Sequence, residues 1–318
     1  MPRPLTRGFP AIGPQRSRFA RLATLRRAAS LLNDFRFEQP DPDRFYGAMA
    51  RDTGAMIAAL RLDFPPHPQP ASGLRCKSEP ASGLRCKSEP ASGLPRNPEP
   101  ASGLPHNPEP ASGLPRNLDG LTVLDVGGGP GYFSDEFRRR GARYISVEPD
   151  PTEMHAAGLP QRGTIRGSGT HLPLRDGAVD ICYSSNVVEH VADPWRMCDE
   201  MVRVTRPGGL IVISYTLWFG PFGGHEMGLT HYFGGARAAR WYARRHGHQP
   251  KNLYGTSLFA VTAAEGLSWA DTTDPRRAQL MSAFPRYLPH WMWWVLRVPL
   301  LREVLATNLV LVLQRTSR

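Results

Sequence analysis

The chain has 318 residues, 41% of them hydrophobic, and a formal net charge of +11 from 39 Lys and Arg against 28 Asp and Glu. That apolar share sustains a buried core and excludes a wholly disordered polymer. No uncharged apolar run reaches the ~18 residues of a spanning helix, and four cysteines are too few for a disulfide scaffold. A reducing, cytoplasmic setting is therefore the expectation.

The positive charge is concentrated at one end: residues 1–36 hold eight Arg against Asp34 alone, which is +7 of the +11. Such an arm suits anionic lipid, nucleic acid or an acidic partner. It also has the acid-poor look of a transit peptide. A solubilising tail is the plainer reading. Phe19, Leu22, Leu25, Ala29 and Leu32 recur every three to four residues and predict a helix. Phe45, Met49, Met56 and Leu60 predict a second one behind Pro40-Asp41-Pro42, so residues 1–64 form a basic helical segment.

Residues 65–118 differ in kind. The decapeptide PASGLRCKSE occurs twice in succession from Pro70, and PASGLPRNPE, PASGLPHNPE and a partial copy follow. Each copy offers one Leu as its only large apolar group. That does not offset an ordering cost of about 1–2 kcal/mol per residue. The expectation is a disordered repeat linker, with a ligand-binding array as the alternative.

From Asp119 onward short apolar strands alternate with helices, the pattern of a parallel α/β sheet. Strands are expected at residues 121–126, 144–147, 179–184, 210–215, 280–284 and 308–314. Helices are expected at 132–140, closed by Gly141, and at 262–270. Another helix starts at the Asp193-Pro194 cap, carries Trp195, Cys198, Met201 and Val202 on one face, and stops at Gly208-Gly209.

The strongest signal is VLDVGGGPGYF at residues 123–133, a strand running into Gly127, Gly128, Gly129 and Gly131 and then a helix. Glycines let a ligand approach the backbone, and a helix start offers free N–H groups. Asp125 ahead of the glycines repels a pyrophosphate and suits a cationic amino group. Tyr132 stands where a dinucleotide fingerprint needs its third glycine. Glu148 ends the second strand, where a carboxylate accepts from both hydroxyls of a ribose.

These residues resemble the class I S-adenosylmethionine-dependent methyltransferases, in particular the methyltransferase type 11 group, over residues 119–216. The matching stretches are 123–132, VEPD at 147–150, AVDICYSSNVVEH at 178–190 and RPGGLIVI at 206–213. The resemblance implies a Rossmann-like seven-stranded, mostly parallel sheet with helices on both faces and residues 308–314 as its antiparallel strand. It implies S-adenosylmethionine as cofactor. Its binding residues would be Asp125, Gly127, Gly128, Gly129, Gly131, Tyr132, Glu148, Pro149, Ser168, Gly169, Thr170, Ser185 and Asn186. One departure stands out: the family's Gly-Asp-Ala before Leu-Pro reads Gly167-Ser168-Gly169 here.

The acceptor is expected where the chain leaves the carboxyl end of the sheet. Residues 216–235, rich in glycine and aromatics, suit a mobile lid over an apolar acceptor, and the lid region extends to 250. His190, His225 and His231 are the candidate catalytic bases. The His225, Glu226, His231 spacing is not H-E-x-x-H, so no metal is expected. Arg237, Arg240 and Arg244 fall on one helix face, either solvated or facing an anion. The Trp-rich stretch 288–305 either packs on the sheet or anchors at a membrane interface. The leading expectation is methyl transfer to a small-molecule or lipid-like acceptor, with peripheral membrane contact through the basic arm or the Trp-rich stretch. The alternatives are a nucleic-acid-binding protein, read from the Arg-rich start, and a cofactor-binding module without turnover.

Overall fold

The computed structural model describes residues 17–38, 40–65, 117–158 and 163–316. The decapeptide repeats, with Cys76 and Cys86, and the first sixteen residues of the basic arm lie outside them.

Three helices come first: α1 (Arg18–Leu22), α2 (Leu25–Asp34) and α3 (Pro42–Asp63). A single helix was expected through residue 32. Instead Thr24 caps a new one, its side chain accepting from the Arg27 amide. That break resets the helical phase. Phe19, Ala20, Ala28 and Leu31 are buried, while Leu22, Leu25 and Leu32 are exposed. In α3, Asp41 caps the start and Phe45, Met49, Met56 and Leu60 are buried, as the periodicity predicts.

The sheet follows. β1 (Thr122–Val126) leads through the glycine loop to α4 (Ser134–Arg139), then β2 (Arg143–Glu148), α5 (Pro151–His155) and β3 (Thr164–Arg166). β4 (Val179–Ser185), α6 (Pro194–Val204) and β5 (Thr205–Thr216) form the centre. The helix expected to run to Gly208 ends at Val204; residues 205–209 already belong to β5, where Thr205 pairs with Val179. Past residues 217–234 come α7 (Gly235–His246), α8 (Ala263–Thr272), β6 (Ala278–Pro285), α9 (Pro299–Leu305) and β7 (Asn308–Arg315). The order is β3-β2-β1-β4-β5-β7-β6. Only β7 runs antiparallel, to both β5 and β6, so the carboxyl ends of the other six strands share one edge.

Side-chain alternation divides the core in two. One face carries Leu124, Val126, Cys182, Ile211 and Leu311 against α6 and α8. The other carries Val123, Tyr144, Tyr183, Val212 and Val310 against Phe19 of α1, Met56, Ile57 and Leu60 of α3, and Phe137 of α4. The amino-terminal helices therefore cover half of the sheet. No helix among the described residues is long and apolar enough to cross a membrane.

Candidate active site

The glycine loop leaves β1 between neighbours that exclude side chains. A Cβ on Gly127, which sits at φ +79°, would lie 2.5 Å from Val187 Cγ2. One on Gly128 would lie 2.7 Å from Ser146 Cβ and 3.2 Å from the Asp125 carboxylate. A Cβ on Gly129 or Gly131 would meet nothing within 4 Å, so the loop presents bare backbone to open space there. The Gly127 amide donates to the Val147 carbonyl at 2.8 Å, which ties the loop to β2.

Two carboxylates flank this loop. Asp125 is buried directly beneath Gly128, its Oδ2 accepting from the hydroxyls of Tyr144 at 2.6 Å and Tyr183 at 2.5 Å. Burial pushes its pKa up to about 6, against the pull of those two hydroxyls. Glu148, at the end of β2, accepts from the Gly129 amide at 3.1 Å and the Asp150 amide at 3.2 Å. Burial raises its carboxyl as well. Pro149, exposed, turns the chain into α5 beside it.

The Gly167-Ser168-Gly169 stretch closes on itself. Ser168 Oγ lies 2.9 Å from Thr170 Oγ1 and accepts from the Thr170 amide at 3.3 Å. Gly169 abuts α6 and β1: a Cβ there would be 2.9 Å from Met197 Sδ and 3.2 Å from Val126 Cγ1. Past β4, Asn186 takes a left-handed φ of +56°. Its amide donates to the Ser214 carbonyl and its Oδ1 accepts from Asn308 Nδ2, each at 2.8 Å. Ser185 Oγ accepts from Arg286 Nη1 at 3.0 Å.

Arg286 has no counterpart in the sequence reading. It is fully buried after β6 and joins the site to the amino-terminal helices. Its Nη2 donates to Thr53 Oγ1 at 2.6 Å and to Asp52 at 3.2 Å, and Asp52 also takes a bidentate pair from Arg27 at 2.6 and 2.8 Å. Aromatic contacts extend the same cover. Tyr46 of α3 stacks on Tyr132 at 4.5 Å between ring centroids, and Phe35 stacks on Phe222, which follows β5, at 4.7 Å. No local pattern marks these residues, because their partners lie far along the chain.

The histidines gather at the carboxyl end of β4. His190 and His225 have ring centroids 5.0 Å apart, and His190 Nδ1 lies 2.6 Å from the Ser257 carbonyl. Burial holds the pKa of His225 down at about 4. His231, buried, keeps Nδ1 on the Gly228 carbonyl at 2.7 Å and packs against Trp218. The segment after β5 forms a small core with α7 and the loop beyond it, from Trp218, Met227, Ala238, Ala239 and Leu258. Phe219, Tyr232 and Phe233 remain exposed.

A cationic nucleoside fits this arrangement. The open backbone at Gly129 and Gly131 admits it, Glu148 offers acceptors for a ribose, and Asp125 puts negative charge under the loop. The methyltransferase-domain family matches residues 124–213, which run from β1 into β5. An uncharacterized methyltransferase of Mycobacteroides abscessus is 52% identical over 303 residues, spanning 93% of this chain and 96% of that protein. One from Mycobacterium sp. (strain JLS) is 53% identical over 298 residues, 93% of this chain and 97% of that protein. Among solved structures, an S-adenosylmethionine dependent methyltransferase from Mesorhizobium loti is 20% identical, with a TM-score of 0.43 over 64% of this chain and 94% of that one. With identity above one half along nearly the whole chain, and with S-adenosylmethionine as the cofactor, this protein belongs to the class I S-adenosylmethionine-dependent methyltransferases.

Proposed function

We propose that the enzyme methylates a small, lipid-like acceptor that it meets at an anionic membrane surface on the cytoplasmic side. The observation that carries this is the meeting of two amphipathic segments. The His290 amide donates to the Ala23 carbonyl at 2.9 Å, and Trp293 stacks with Phe19 at 6.0 Å between centroids. Around that junction Leu22 and Leu25 on one side, and Trp291 and Trp294 on the other, stay exposed: Leu25 by 64%, Trp291 by 59% and Trp294 by 50%. Exposed apolar clusters of this kind mark interaction surfaces. Tryptophans beside arginines suit the headgroup layer. The Trp-bearing segment leaves β6 at the same edge of the sheet that carries the glycine loop. The exposed lid aromatics and the exposed Arg237, Arg240 and Arg244 of α7 follow β5 at that edge too. The buried free thiols Cys182 and Cys198 fit a reducing compartment.

In this reading Asp125 draws the cationic amino group of the cofactor electrostatically, Glu148 accepts from the ribose hydroxyls, and the loop from Gly127 to Gly131 supplies close backbone. Tyr132 and Pro149 border it, and Ser168, Gly169, Thr170, Ser185 and Asn186 line the adjoining loops. When bound, S-adenosylmethionine supplies an electrophilic sulfonium methyl group. The protein's task is then to place the acceptor in line and exclude water, and placement alone is worth up to about 7–11 kcal/mol. His190, His225 and His231 stand as proton acceptors for an acceptor that needs one.

The test is co-sedimentation with vesicles of phosphatidylcholine alone or mixed with phosphatidylglycerol, paired with turnover of S-adenosylmethionine on vesicle-borne and water-soluble acceptors. Wild type should bind the anionic vesicles. Trp291→Ala/Trp294→Ala should weaken that binding on the order of tenfold or more, which is ~1.4 kcal/mol. Absence of vesicle binding at low salt, or turnover confined to water-soluble acceptors, would refute the reading.

A further inference from the structure

Glu189 Oε2 and His225 Nε2 are buried with no hydrogen-bond partner, as are Glu226 Oε2 and His231 Nε2 of the same turn as His225. Leaving such atoms unpaired is costly, and Glu189 is only 1% exposed. Different elements bring them together. Glu189 and His190 sit in the single 3-10 turn Val188–His190 that follows β4, and His225 opens the lid turn His225–Phe233 at a left-handed φ of +46°. One ligand atom from each of Glu189, His190 and His225 lies within 4.8 Å of the others.

Neighbouring groups orient two of the three. Glu189 Oε1 accepts from the Thr216 amide at 3.0 Å, which fixes the carboxylate and leaves Oε2 unpartnered. The Ser257 carbonyl, 2.6 Å from His190 Nδ1, only accepts, so that nitrogen carries the proton and Nε2 keeps its lone pair. A backbone carbonyl on the far nitrogen is how ligating histidines are held. A direct Glu189–His225 bond would satisfy both orphan atoms, and it is not made.

We propose that Glu189, His190 and His225 form a binding site for a divalent transition-metal cation of the zinc type. Two imidazole nitrogens and one carboxylate oxygen suit such a cation and leave a coordination position open. Bonds of ~2.1 Å set ligand atoms about 3.4 Å apart. The widest pair therefore closes by little more than an ångström, within reach of side-chain rotation. The site belongs to the acceptor side of the molecule, and it rests on no reading of which acceptor is used.

The test starts from metal-stripped full-length protein. Zinc sulfate is titrated calorimetrically, and cobalt chloride is followed by its visible d–d absorption. One equivalent should bind per chain, and the cobalt form should show intense bands of low coordination number. His225→Ala and His190→Ala should each weaken zinc on the order of 100-fold, with His225→Gln as a second variant that preserves volume. The exposed pair His246 and His248, with ring centroids 6.2 Å apart, is the control, and replacing both by Ala should change nothing. S-adenosylhomocysteine binding is measured on every sample, which separates loss of the metal from loss of the fold or of the cofactor site. Wild type that binds S-adenosylhomocysteine but neither metal overturns the proposal. So does zinc affinity that survives the His190 and His225 substitutions.

Discussion

Asp125→Asn tests the electrostatics beneath the glycine loop. Burial lifts the Asp125 carboxyl from 3.8 to about 6. The folded state therefore holds this proton more tightly than the unfolded chain does. Below about pH 4 the group is protonated in both states and costs nothing. Between about pH 4 and 6 the unfolded chain ionises first, and wild-type stability falls as pH rises. Two pKa units at 1.36 kcal/mol each make the penalty about 3 kcal/mol at pH 7. Asparagine keeps the shape and an acceptor for the Tyr144 and Tyr183 hydroxyls, and it carries no charge. The variant should therefore gain on wild type by about 3 kcal/mol between pH 4 and 7, a relative shift of roughly 6–12 °C in Tm for a body of this size. Scanning calorimetry of both proteins in cofactor-free buffers across that range reads the difference. Parallel curves, or a wild type that gains on the variant as pH rises, would show that the two tyrosines outweigh burial. S-adenosylmethionine should bind the variant less tightly, because the cationic amino group would then lose the charge beneath the loop.

Two further outcomes follow from the same geometry. Glu148→Ala removes the two carboxylate oxygens proposed as ribose acceptors and the 3.1 Å anchor of the Gly129 amide; charge-assisted bonds of ~1.5–3 kcal/mol each predict S-adenosylhomocysteine binding at least about 100-fold weaker by calorimetry, and unchanged binding removes Glu148 from the proposed site. Asp52→Ala leaves the fully buried Arg286 without its carboxylate and should cost about 3–5 kcal/mol in urea unfolding, whereas Arg286→Met, which removes the charge itself, should cost less; the reverse order would mean the pair is not the electrostatic bolt between α3 and the sheet.

The parts of the site legible in the sequence are those that local chemistry specifies. β1, its glycine loop and Glu148 follow one another within 27 residues, each marked by strand periodicity, side-chain-free turns or a carboxylate at a strand end. Asp193 and Gly141 announced their helix ends for the same reason. β3 was missed because its three residues are half-buried or exposed and show no alternation. The start of β5 was read as helix because Gly208 and Gly209 look like a stop signal, whereas Thr205 already pairs with Val179 of β4 and the strand reaches Leu210 across a register shift.

What the sequence determined by itself is the sheet's alternating framework and the glycine loop, since both follow from contacts between near neighbours. Only the tertiary structure decided which stripe of the first helices is buried, because the cap at Thr24 shifts the phase, the sheet face selects Phe19, and Phe45, Met49 and Tyr287 select Leu31. It alone places Arg286 on Asp52, 234 positions away, and His225 beside Glu189 and His190. Such convergences depend on how strands and helices stack, and no periodicity along the chain encodes the distance between two side chains that the fold brings face to face.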